Sequence, residues 1–281
     1  MKVYENEPLK KYTTIKIGGI ARKLYEPENE DELIDLVLNE NFKYRIGGGS
    51  NILMNDNKVY DNVLLLKNFN TRINNLGDGF YEAGASVPLQ MMIHTINNDG
   101  YGGIEYLFSV PGLIGGAVYI NAGGGKEQGK SISDYIESVK VIHDDKVEVL
   151  DKSKCNFDYR NSIFKNGQYI ILSVIFHFSK VNTFESEKRR KNRIQFCKKT
   201  HDYSGYNFES VFRTYNPYLL EIIRMLSKFD YCNIHFSRKT DNWILNNGKG
   251  KYKQAIRHIN IVKVIHKIFR QKCETEVIIW D

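Results

Sequence analysis

The chain has 281 residues, of which 42% are hydrophobic, and a formal net charge of +7. This length and apolar content exclude a disordered chain and suit two or three modest domains with buried cores. The longest apolar run, at residues 169–178, is interrupted by Ser173 and His177 and is shorter than the ~20 residues of a membrane-spanning helix.

The first part of the chain is predicted to be a small α+β unit that ends near residue 68. Asn29 and Glu32 form a variant of the capping box, and apolar residues follow at helical spacing. We therefore expect a helix over residues 30–39. The runs at residues 25–27 and 63–66 are typical of strands.

A second unit is expected to start at residue 80. Pro88 is predicted in the first turn of a helix whose apolar face carries Leu89, Met92, Ile93 and Ile96. Short alternating runs at residues 139–142, 147–150 and 169–178 then predict strands of a mostly antiparallel sheet.

After Lys180 the composition changes, and the charged residues 185–199 mark a predicted boundary. In the last unit Asn216 is expected to cap, and Pro217 to open, a helix carrying Leu219, Leu220, Ile223 and Leu226. A turn is predicted at residues 246–248 and a strand at 276–280. A helical stripe is predicted between them from Tyr252, Ile256, Ile259, Val262 and Phe269.

Two glycine clusters stand out within these elements. They are Tyr44-Arg-Ile-Gly-Gly-Gly-Ser-Asn-Ile-Leu53 and Val110-Pro-Gly-Leu-Ile-Gly-Gly-Ala-Val-Tyr-Ile-Asn-Ala-Gly123. Glycine removes the side chains that keep backbone N–H groups away from a bound group, and Ser50 and Asn51 add short hydrogen-bonding side chains. Two such loops predict a site for a diphosphate with a group attached at each end. Tight turns between strands have the same composition, so a purely structural turn stays open for either cluster.

Two other nucleotide-binding motifs are alternatives to this prediction. Neither glycine cluster has the G-x-G-x-x-G spacing of a Rossmann unit, which disfavours that fold. The segment Gly124-Gly-Lys-Glu-Gln-Gly-Lys-Ser131 matches the Walker A spacing of a P-loop. However, Lys140 interrupts the apolar run that would have to end in an aspartate for magnesium. A P-loop nucleotide-binding protein remains an alternative.

The remaining composition points to a cytoplasmic protein without a bound metal. The four cysteines lie far apart, with no C-x-x-C pair and no histidine cluster, so neither a metal site nor a disulfide framework is predicted. Residues 1–8 contain no apolar signal core. The basic run at residues 188–193 is interpreted as a solvated helix face. We expect no nucleic-acid or membrane partner and a monomeric protein.

The order of these segments resembles the FAD-dependent UDP-N-acetylenolpyruvoylglucosamine reductases (MurB) of peptidoglycan synthesis and cell wall biogenesis. The resemblance covers nearly the whole chain and thins in the last third. It is carried by Thr14-Ile-Lys-Ile-Gly-Gly-Ile-Ala21, Gly47-Gly-Gly-Ser-Asn-Ile-Leu53, Gly103-Ile-Glu105, Pro111-Gly-Leu-Ile-Gly-Gly-Ala117, Asn121-Ala-Gly123, Tyr159-Arg-Asn-Ser-Ile-Phe-Lys165, Glu209-Ser-Val-Phe212, residues 237–248 and Glu274-Thr-Glu-Val277.

The resemblance implies an α+β fold with a two-part FAD-binding region of the vanillyl-alcohol-oxidase (PCMH) type. Residues 1–68 and 69–180 would be its two FAD-binding subdomains, and residues 186–281 a substrate-binding domain. The pyrophosphate of FAD would lie on the two glycine loops. The residues implied to bind the cofactor are Gly47, Gly48, Gly49, Ser50, Asn51, Pro111, Gly112, Gly115, Gly116, Ala117 and Asn121.

The resemblance also implies a reaction. NADPH reduces the flavin, and a hydride then passes to the outer carbon of UDP-N-acetylglucosamine enolpyruvate, giving UDP-N-acetylmuramate. Hydride addition places negative charge on the substrate carboxylate, which requires a fixed cation and a proton source. The implied catalytic residues are Arg160 for the carboxylate, Ser210 as proton donor and Glu276 as the acid that organises the intermediate. The implied substrate-binding residues are Tyr159, Arg213 and Asn242.

The chain departs from the family pattern near the proton donor. Glu209 stands where the family usually has glycine, and Arg213-Thr214 replaces a Lys-Asn pair. Leu113 replaces a Ser or Thr, and Thr240 a common His. These differences keep two further alternatives open: a family member that reduces another enolpyruvyl sugar nucleotide for surface glycan synthesis, and a flavin-binding module that has lost its activity.

Overall fold

A computed structural model describes residues 1–124, 129–227 and 233–281. The chain forms two compact units that interleave along the sequence. Unit 1 comprises Met1–Tyr4, Leu24–Gly48 and Asn62–Cys197, and unit 2 comprises Glu5–Lys23, Gly49–Asp61 and Lys198–Asp281. The division into residues 1–68, 69–180 and 186–281 stays a prediction.

The elements of the described residues are as follows. The helices are α1 Glu30–Asn39, α2 Leu89–Asn98, α3 Ile114–Tyr119, α4 Thr183–Thr200, α5 Pro217–Leu226 and α6 Tyr252–Ile268. The strands are β1 Lys2–Pro8, β2 Ile20–Glu26, β3 Tyr44–Ile46, β4 Ile52–Met54, β5 Val59–Leu65, β6 Ile73–Gly77, β7 Phe80–Gly84, β8 Tyr101–Gly102, β9 Ile136–His143, β10 Lys146–Asp151, β11 Ile170–His177, β12 Ser179–Lys180, β13 Phe212–Thr214, β14 Ile234–Phe236, β15 Ile244–Asn246, β16 Glu274–Thr275 and β17 Ile278–Trp280. Short 3-10 helices include Glu105–Leu107 and Ile132–Tyr135.

An antiparallel sheet of order β10-β9-β11-β7-β6 forms the centre of unit 1. Val174 in β11 pairs with Ala83 on one side and Val139 on the other, and all three side chains are fully buried. Strand residues that face the core in this way account for the alternating runs in the sequence. The mostly antiparallel sheet predicted for this part of the chain is therefore confirmed.

Helices α1 and α2 match the sequence prediction closely. The side-chain oxygen of Asn29 accepts a hydrogen bond from the N–H of Glu32 at 2.9 Å, and α1 begins and ends where expected. Along α2, the four predicted apolar residues are all buried in the core of unit 1.

A second sheet, of order β1-β2-β5-β3, contains the strand that leads into the first glycine loop.

In unit 2, α5 and α6 pack on a separate core with Phe208, Val211 and Phe212. The oxygen of Asn216 accepts hydrogen bonds from the first two N–H groups after Pro217, as its predicted capping role requires. At the C-terminal end of α6, Phe269 does not belong to the predicted apolar stripe, because it follows the last helical residue and is 60% exposed. Strand β17 pairs in parallel with β4, the strand after the first glycine loop.

Part of the P-loop alternative, residues 125–128, lies outside the described residues. The chain that follows does not provide the helix that a P-loop needs. Ser131 caps a single 3-10 turn, and β9 begins directly after it at Ile136. The P-loop alternative is therefore disfavoured.

The part of the chain that the structure describes contains no candidate membrane-spanning helix and no candidate metal site. No described helix is long and apolar enough to cross a bilayer. The described His, Cys, Asp and Glu side chains form no group of three or more that could hold a metal ion. Cys155, Cys197 and Cys273 are free thiols, and Cys232 lies outside the described residues.

We predict that Asn246 holds unit 2 together. It is fully buried; its amide nitrogen donates to the Ile15 carbonyl at 2.7 Å, and its oxygen accepts from the N–H groups of Gly248 and Gly250. Asn246→Ala leaves buried groups unpaired and should lower the free energy of unfolding by about 2–4 kcal/mol. The neighbouring residue Asn247 is exposed and provides the control. Asn247→Ala should change the free energy of unfolding by less than about 1 kcal/mol.

Urea denaturation followed by tryptophan fluorescence measures both variants, because Trp243 and Trp280 both belong to unit 2 and the chain has 2 tryptophans. If the two alanine variants lower the free energy of unfolding by the same amount, Asn246 does not have this role.

Candidate active site

The two glycine loops meet in unit 1 through backbone contact. A Cβ atom added to Gly48 would lie 3.2 Å from the Cα of Gly112. This separation is tighter than ordinary van der Waals contact between carbon atoms, so a side chain at this point would push the loops apart. Residues that are far apart in the sequence are thus brought side by side, as a shared cradle requires.

Other glycines of the same loops border open space. A Cβ at Gly47 or Gly116 would meet no atom within 4 Å, whereas one at Gly115 would come within 2.9 Å of the Ala85 Cβ. Packing therefore accounts for glycine at positions 48 and 115 and gives no reason for it at 47 and 116. Glycine at these two positions leaves the backbone accessible to a bound group.

The second loop is fixed by hydrogen bonds to the start of α2 and to the chain before it. The N–H groups of Ile114 and Gly115 donate to the carbonyls of Val87 and Ala85, at 2.8 and 2.9 Å. The N–H of Leu89 donates to the Gly112 carbonyl at 3.1 Å. Leu113, at the position where the family has Ser or Thr, is buried, as is Ala117. Pro111 lies at the entry to this rigid loop.

Asn121 links the second loop to the turn that carries the predicted catalytic arginine. Its amide nitrogen donates to the Asp158 carbonyl at 2.9 Å, and its oxygen accepts from the Ser133 N–H at 3.2 Å. Asp158 and Asn161 exchange backbone hydrogen bonds across a two-residue turn. Both functional groups of the buried amide are therefore engaged within the protein, and the cofactor contact of Asn121 stays a prediction.

Tyr159 and Arg160 occupy the tip of this turn. Arg160 has a φ of +52°, in the left-handed region that a side chain rarely adopts. Its Nη2 donates to the Gly123 carbonyl at 3.2 Å, and its guanidinium carbon lies 5.8 Å from the centroid of the Tyr159 ring. The arginine is half-buried beside the end of the second glycine loop, where its planar group could receive a carboxylate.

Arg45 positions the strand before the first glycine loop. Its side chain donates to the carbonyls of Phe42, Gly167 and Tyr169, all within 3.0 Å. Burial lowers the pKa of this guanidinium from its usual value. The carbonyls of Gly167 and Tyr169 anchor β3 to the chain that follows the Arg160 turn. No role for Arg45 is predictable from the sequence, because a single arginine in a strand belongs to no motif.

In unit 2, Gly49 fits a space that no side chain could share. Its φ is +65°, and a Cβ there would lie 1.7 Å from the Tyr12 carbonyl oxygen. The N–H of Thr14 donates to the Gly49 carbonyl at 3.1 Å. The Thr14–Ala21 motif was recognised in the sequence without a structural role, and this contact supplies one. Ser50 is half-buried next to it, with its carbonyl 3.5 Å from the Thr14 hydroxyl.

Asn51 carries a buried hydrogen-bond acceptor. Its amide nitrogen donates to the Glu276 carbonyl at 3.2 Å, and its own carbonyl accepts from the Ile278 N–H at 3.0 Å. The side-chain oxygen Oδ1 is buried and has no hydrogen-bond partner among the described residues. Leaving such an atom unpaired costs about 1–3 kcal/mol, so the position favours a bound group that donates a hydrogen bond.

The predicted catalytic residues of unit 2 lie on neighbouring backbone segments. The N–H of Glu276 donates to the Val211 carbonyl at 2.8 Å, next to Ser210, while the Glu276 carbonyl accepts from Asn51. Ser210 also forms a backbone bridge with Trp243. Both Ser210 and Glu276 are half-buried. The structure thus brings Asn51, Ser210 and Glu276 together within unit 2.

Asn242 supports the Ser210 segment from inside. Its oxygen accepts from the Phe212 N–H at 2.8 Å, and its amide nitrogen donates to the Phe212 carbonyl at 2.7 Å. The side chain is buried, and its φ is +61°. These contacts make Asn242 a positioning residue for the strand after Ser210, and its role in substrate binding stays a prediction.

Glu209 and Arg213, which differ from the family pattern beside Ser210, each have a defined backbone conformation or partner in the structure. Glu209 has a φ of +61°, a conformation that favours glycine, which is the residue the family uses there. Arg213 lies 3.2 Å from Glu274, and the hydrogen bond from Lys272 and the charge of Arg213 lower the pKa of that carboxyl group. Arg213 is therefore paired within unit 2, and its contact with a diphosphate stays a prediction. Thr240 donates to the Thr200 carbonyl at 2.8 Å.

Comparison with known proteins places the chain in a family. A family model described as an FAD binding domain matches residues 21–150. The UDP-N-acetylenolpyruvoylglucosamine reductase of Prochlorococcus marinus subsp. pastoris is 30% identical over 272 residues, covering 92% of this chain and 90% of the relative. That of Fusobacterium nucleatum is 29% identical over 289 residues and covers 99% of both chains.

A solved structure agrees with these matches. The crystal structure of UDP-N-acetylenolpyruvylglucosamine reductase (MurB) from Thermus caldophilus aligns with a TM-score of 0.80 at 24% identity, over 100% of this chain and 98% of that one. The α+β fold with an FAD-binding domain, expected from the resemblance, is confirmed. The chain belongs to the family of UDP-N-acetylenolpyruvoylglucosamine reductases, which are FAD-dependent oxidoreductases.

The geometry of the first loop gives a prediction about two neighbouring glycines. Gly49→Ala would place a methyl group within 1.7 Å of a backbone oxygen and force an unfavourable φ, so it should lower the free energy of unfolding by more than about 2 kcal/mol. Gly47→Ala meets no atom within 4 Å and should change it by less than about 1 kcal/mol. Thermal unfolding of the FAD-free proteins compares them, and the reverse order would contradict the geometry of the loop.

Proposed function

We propose that this enzyme reduces UDP-N-acetylglucosamine enolpyruvate to UDP-N-acetylmuramate for peptidoglycan synthesis, with FAD as cofactor and NADPH as reductant. The observation that carries the proposal is the contact of the two glycine loops at Gly48 and Gly112 within the matched FAD-binding domain. Family membership supports the substrate and NADPH. We also propose a cytoplasmic monomer.

Several features of the loops suit the pyrophosphate of FAD. Gly47 and Gly116 leave backbone open to a bound group, and Gly48 allows the first loop to pack closely against Gly112 of the second. Backbone N–H groups in such loops can receive phosphate oxygens without a lysine. The unpaired Oδ1 of Asn51 offers an acceptor to a donor group on the cofactor or substrate. These residues therefore fit FAD.

Bound FAD would supply a hydride, taken from NADPH, to the outer carbon of the enol ether. Negative charge then develops on the substrate carboxylate. Arg160 presents a planar guanidinium that can bind both carboxylate oxygens and stabilise this charge. Its backbone conformation and the hydrogen bond to Gly123 hold the group in one orientation, so little reorganisation is needed when the charge forms.

The reaction is completed by a proton at the carbon that bears the carboxylate. Ser210 is the proposed donor and Glu276 the acid that helps to organise the charged intermediate. Their backbones are fixed by the hydrogen bonds through Val211 and by the Asn242 amide, so both side chains start from rigid positions. Rigid support of this kind is what a general acid needs to act at a defined atom.

A second candidate is favoured by Glu209. This carboxylate occupies a glycine-like conformation directly before the proposed donor. A negative charge there would repel anionic groups of one substrate and favour another. The chain would then reduce a different enolpyruvyl sugar nucleotide, for surface glycan synthesis, with the same residues.

The open position at Gly116 gives a direct test of the FAD assignment. Gly116→Leu should keep or slightly raise the stability of the FAD-free protein, because leucine is a better helix former than glycine and its Cβ meets no atom within 4 Å. The same side chain would occupy the phosphate path, so the Kd for FAD should rise at least about tenfold, or 1.4 kcal/mol. Unchanged FAD affinity, measured by fluorescence titration, would show that the loop is a structural turn.

The proposed proton donor can be tested by separating the two half-reactions in anaerobic stopped-flow. Ser210→Ala should allow NADPH to bleach the flavin at nearly the parent rate, because that step needs no proton from Ser210. Reoxidation by the enolpyruvyl sugar nucleotide should slow by ~10²–10⁴-fold, the usual contribution of a general acid.

Glu209 could relay a proton when Ser210 is absent, so the test also needs variants of Glu209. Glu209→Gly alone restores the residue that suits the left-handed backbone and should leave reoxidation near the parent rate with the proposed substrate. The double variant removes any relay. If it still reoxidises as fast as the parent, Ser210 is not the donor.

A further inference from the structure

Helix α4 does more than present charge to solvent. Its basic run, residues 188–193, was interpreted from the sequence as a solvated face. Arg189, Arg193 and Cys197 recur at four-residue spacing, which places them along one side of the helix. In the structure this side contacts residues 105–109, the chain that leads into the second glycine loop. The run is mostly solvated, as interpreted, because Lys188, Arg189, Lys191 and Asn192 are exposed, but Arg190 and Arg193 are half-buried.

The contacts centre on Ser109. The Nε of Arg193 donates to the Ser109 hydroxyl oxygen at 2.8 Å, and the Cys197 thiol lies 3.1 Å from the same oxygen. One turn earlier, the guanidinium of Arg190 lies 5.6 Å from the centroid of the Phe108 ring. A short, charge-assisted hydrogen bond to a half-buried hydroxyl fixes Ser109 against α4.

The other end of this segment is held by Glu105. Its buried carboxylate accepts hydrogen bonds from the Gly103 N–H, at 3.1 Å to each oxygen, and from the Asn97 amide at 2.9 Å. Arg189 lies 3.9 Å from the same carboxylate. The segment between Glu105 and Ser109 is thus fixed at both of its ends.

Only Val110 and Pro111 separate Ser109 from Gly112. Proline fixes its own φ and restricts the backbone of the residue before it. The Val110-Pro111 link therefore has few conformations available, and a displacement of Ser109 is passed on to Gly112. Gly112 packs against Gly48, where a shift of a few tenths of an ångström changes the contact. Ser109 is therefore joined through a short, restricted link to the contact between the two glycine loops.

We propose that α4 clamps the second glycine loop through Ser109, and that Arg193 is thereby a positioning residue for FAD binding. The inference rests on the proposed function, because it assumes that the glycine loops hold FAD. Arg193 acts through Ser109 and Gly112, so its effect should appear in cofactor affinity and loop mobility.

The test uses the full chain and five variants of it, one of which is Arg193→Lys. Arg193→Ala removes the donor and Ser109→Ala the acceptor, with only a small change in volume, and the double variant removes both. Lys191→Ala is the matched control, because Lys191 lies on the same helix, is exposed and pairs only with Glu187 in the neighbouring turn among the described contacts. FAD affinity is measured by flavin fluorescence on titration of the FAD-free proteins.

We expect Arg193→Ala and Ser109→Ala each to raise the Kd for FAD about tenfold. The double variant should bind no more weakly than the weaker single variant, because both changes break one contact. Lys191→Ala should match the parent. Arg193→Lys should recover most of the affinity, since lysine can also donate to a single hydroxyl.

Hydrogen exchange of the FAD-free proteins gives a readout that does not depend on the cofactor. Amides of residues 110–117 should exchange faster in Arg193→Ala and Ser109→Ala than in Lys191→Ala. If both variants keep the parent's FAD affinity and exchange, the clamp is overturned while the proposed function stands. If the parent itself binds no FAD, the proposed function fails, and this inference fails with it.

Discussion

Close backbone contact between Gly48 and Gly112 is the constraint on which the candidate cofactor site depends. A single Cβ at Gly48 would already press on the facing backbone. The rest of unit 1 maintains this contact. Arg45 anchors the strand before the first loop, the start of α2 and the chain before it form hydrogen bonds with the second, and α4 holds the chain that enters it. Two other glycines of the same loops, Gly47 and Gly116, border open space, where a phosphate can reach the backbone.

In unit 2 the corresponding constraint is a set of backbone hydrogen bonds around Glu276. Its N–H reaches the chain beside Ser210 and its carbonyl receives the Asn51 amide. The proposed proton donor, the proposed acid and the second half of the first glycine loop are therefore positioned by one local network. Asn242 adds a further pair of hydrogen bonds to Phe212. Substituting any of these groups should disturb the others.

Local signals in the sequence predicted local structure well. The caps at Asn29 and Asn216 located α1 and α5, and alternating apolar residues located the antiparallel strands, because these features depend on neighbouring residues. Motif order gave the family. Interleaving of the two units could not be predicted, since it depends on pairings such as that of β17 with β4.

Side-chain roles were harder to predict than elements. Nothing near Asn121 or Asn242 in the sequence shows that the protein's own backbone occupies their amides. The division of the α4 basic run into a solvated side and a side that grips Ser109 depends on the partner segment, which the run itself does not encode. The left-handed conformation of Glu209 could be suspected only from the glycine that the family has there.

The proposed activity of this chain is an FAD- and NADPH-dependent reduction of an enolpyruvyl sugar nucleotide. The most direct measurement is steady-state oxidation of NADPH by the purified, FAD-loaded chain with UDP-N-acetylglucosamine enolpyruvate, with the product analysed by mass spectrometry. We expect NADPH oxidation that requires the sugar nucleotide and yields one UDP-N-acetylmuramate, two hydrogen atoms heavier than the substrate, for each NADPH consumed. NADPH oxidation that is unaffected by the sugar nucleotide, with the substrate recovered unchanged, would contradict it.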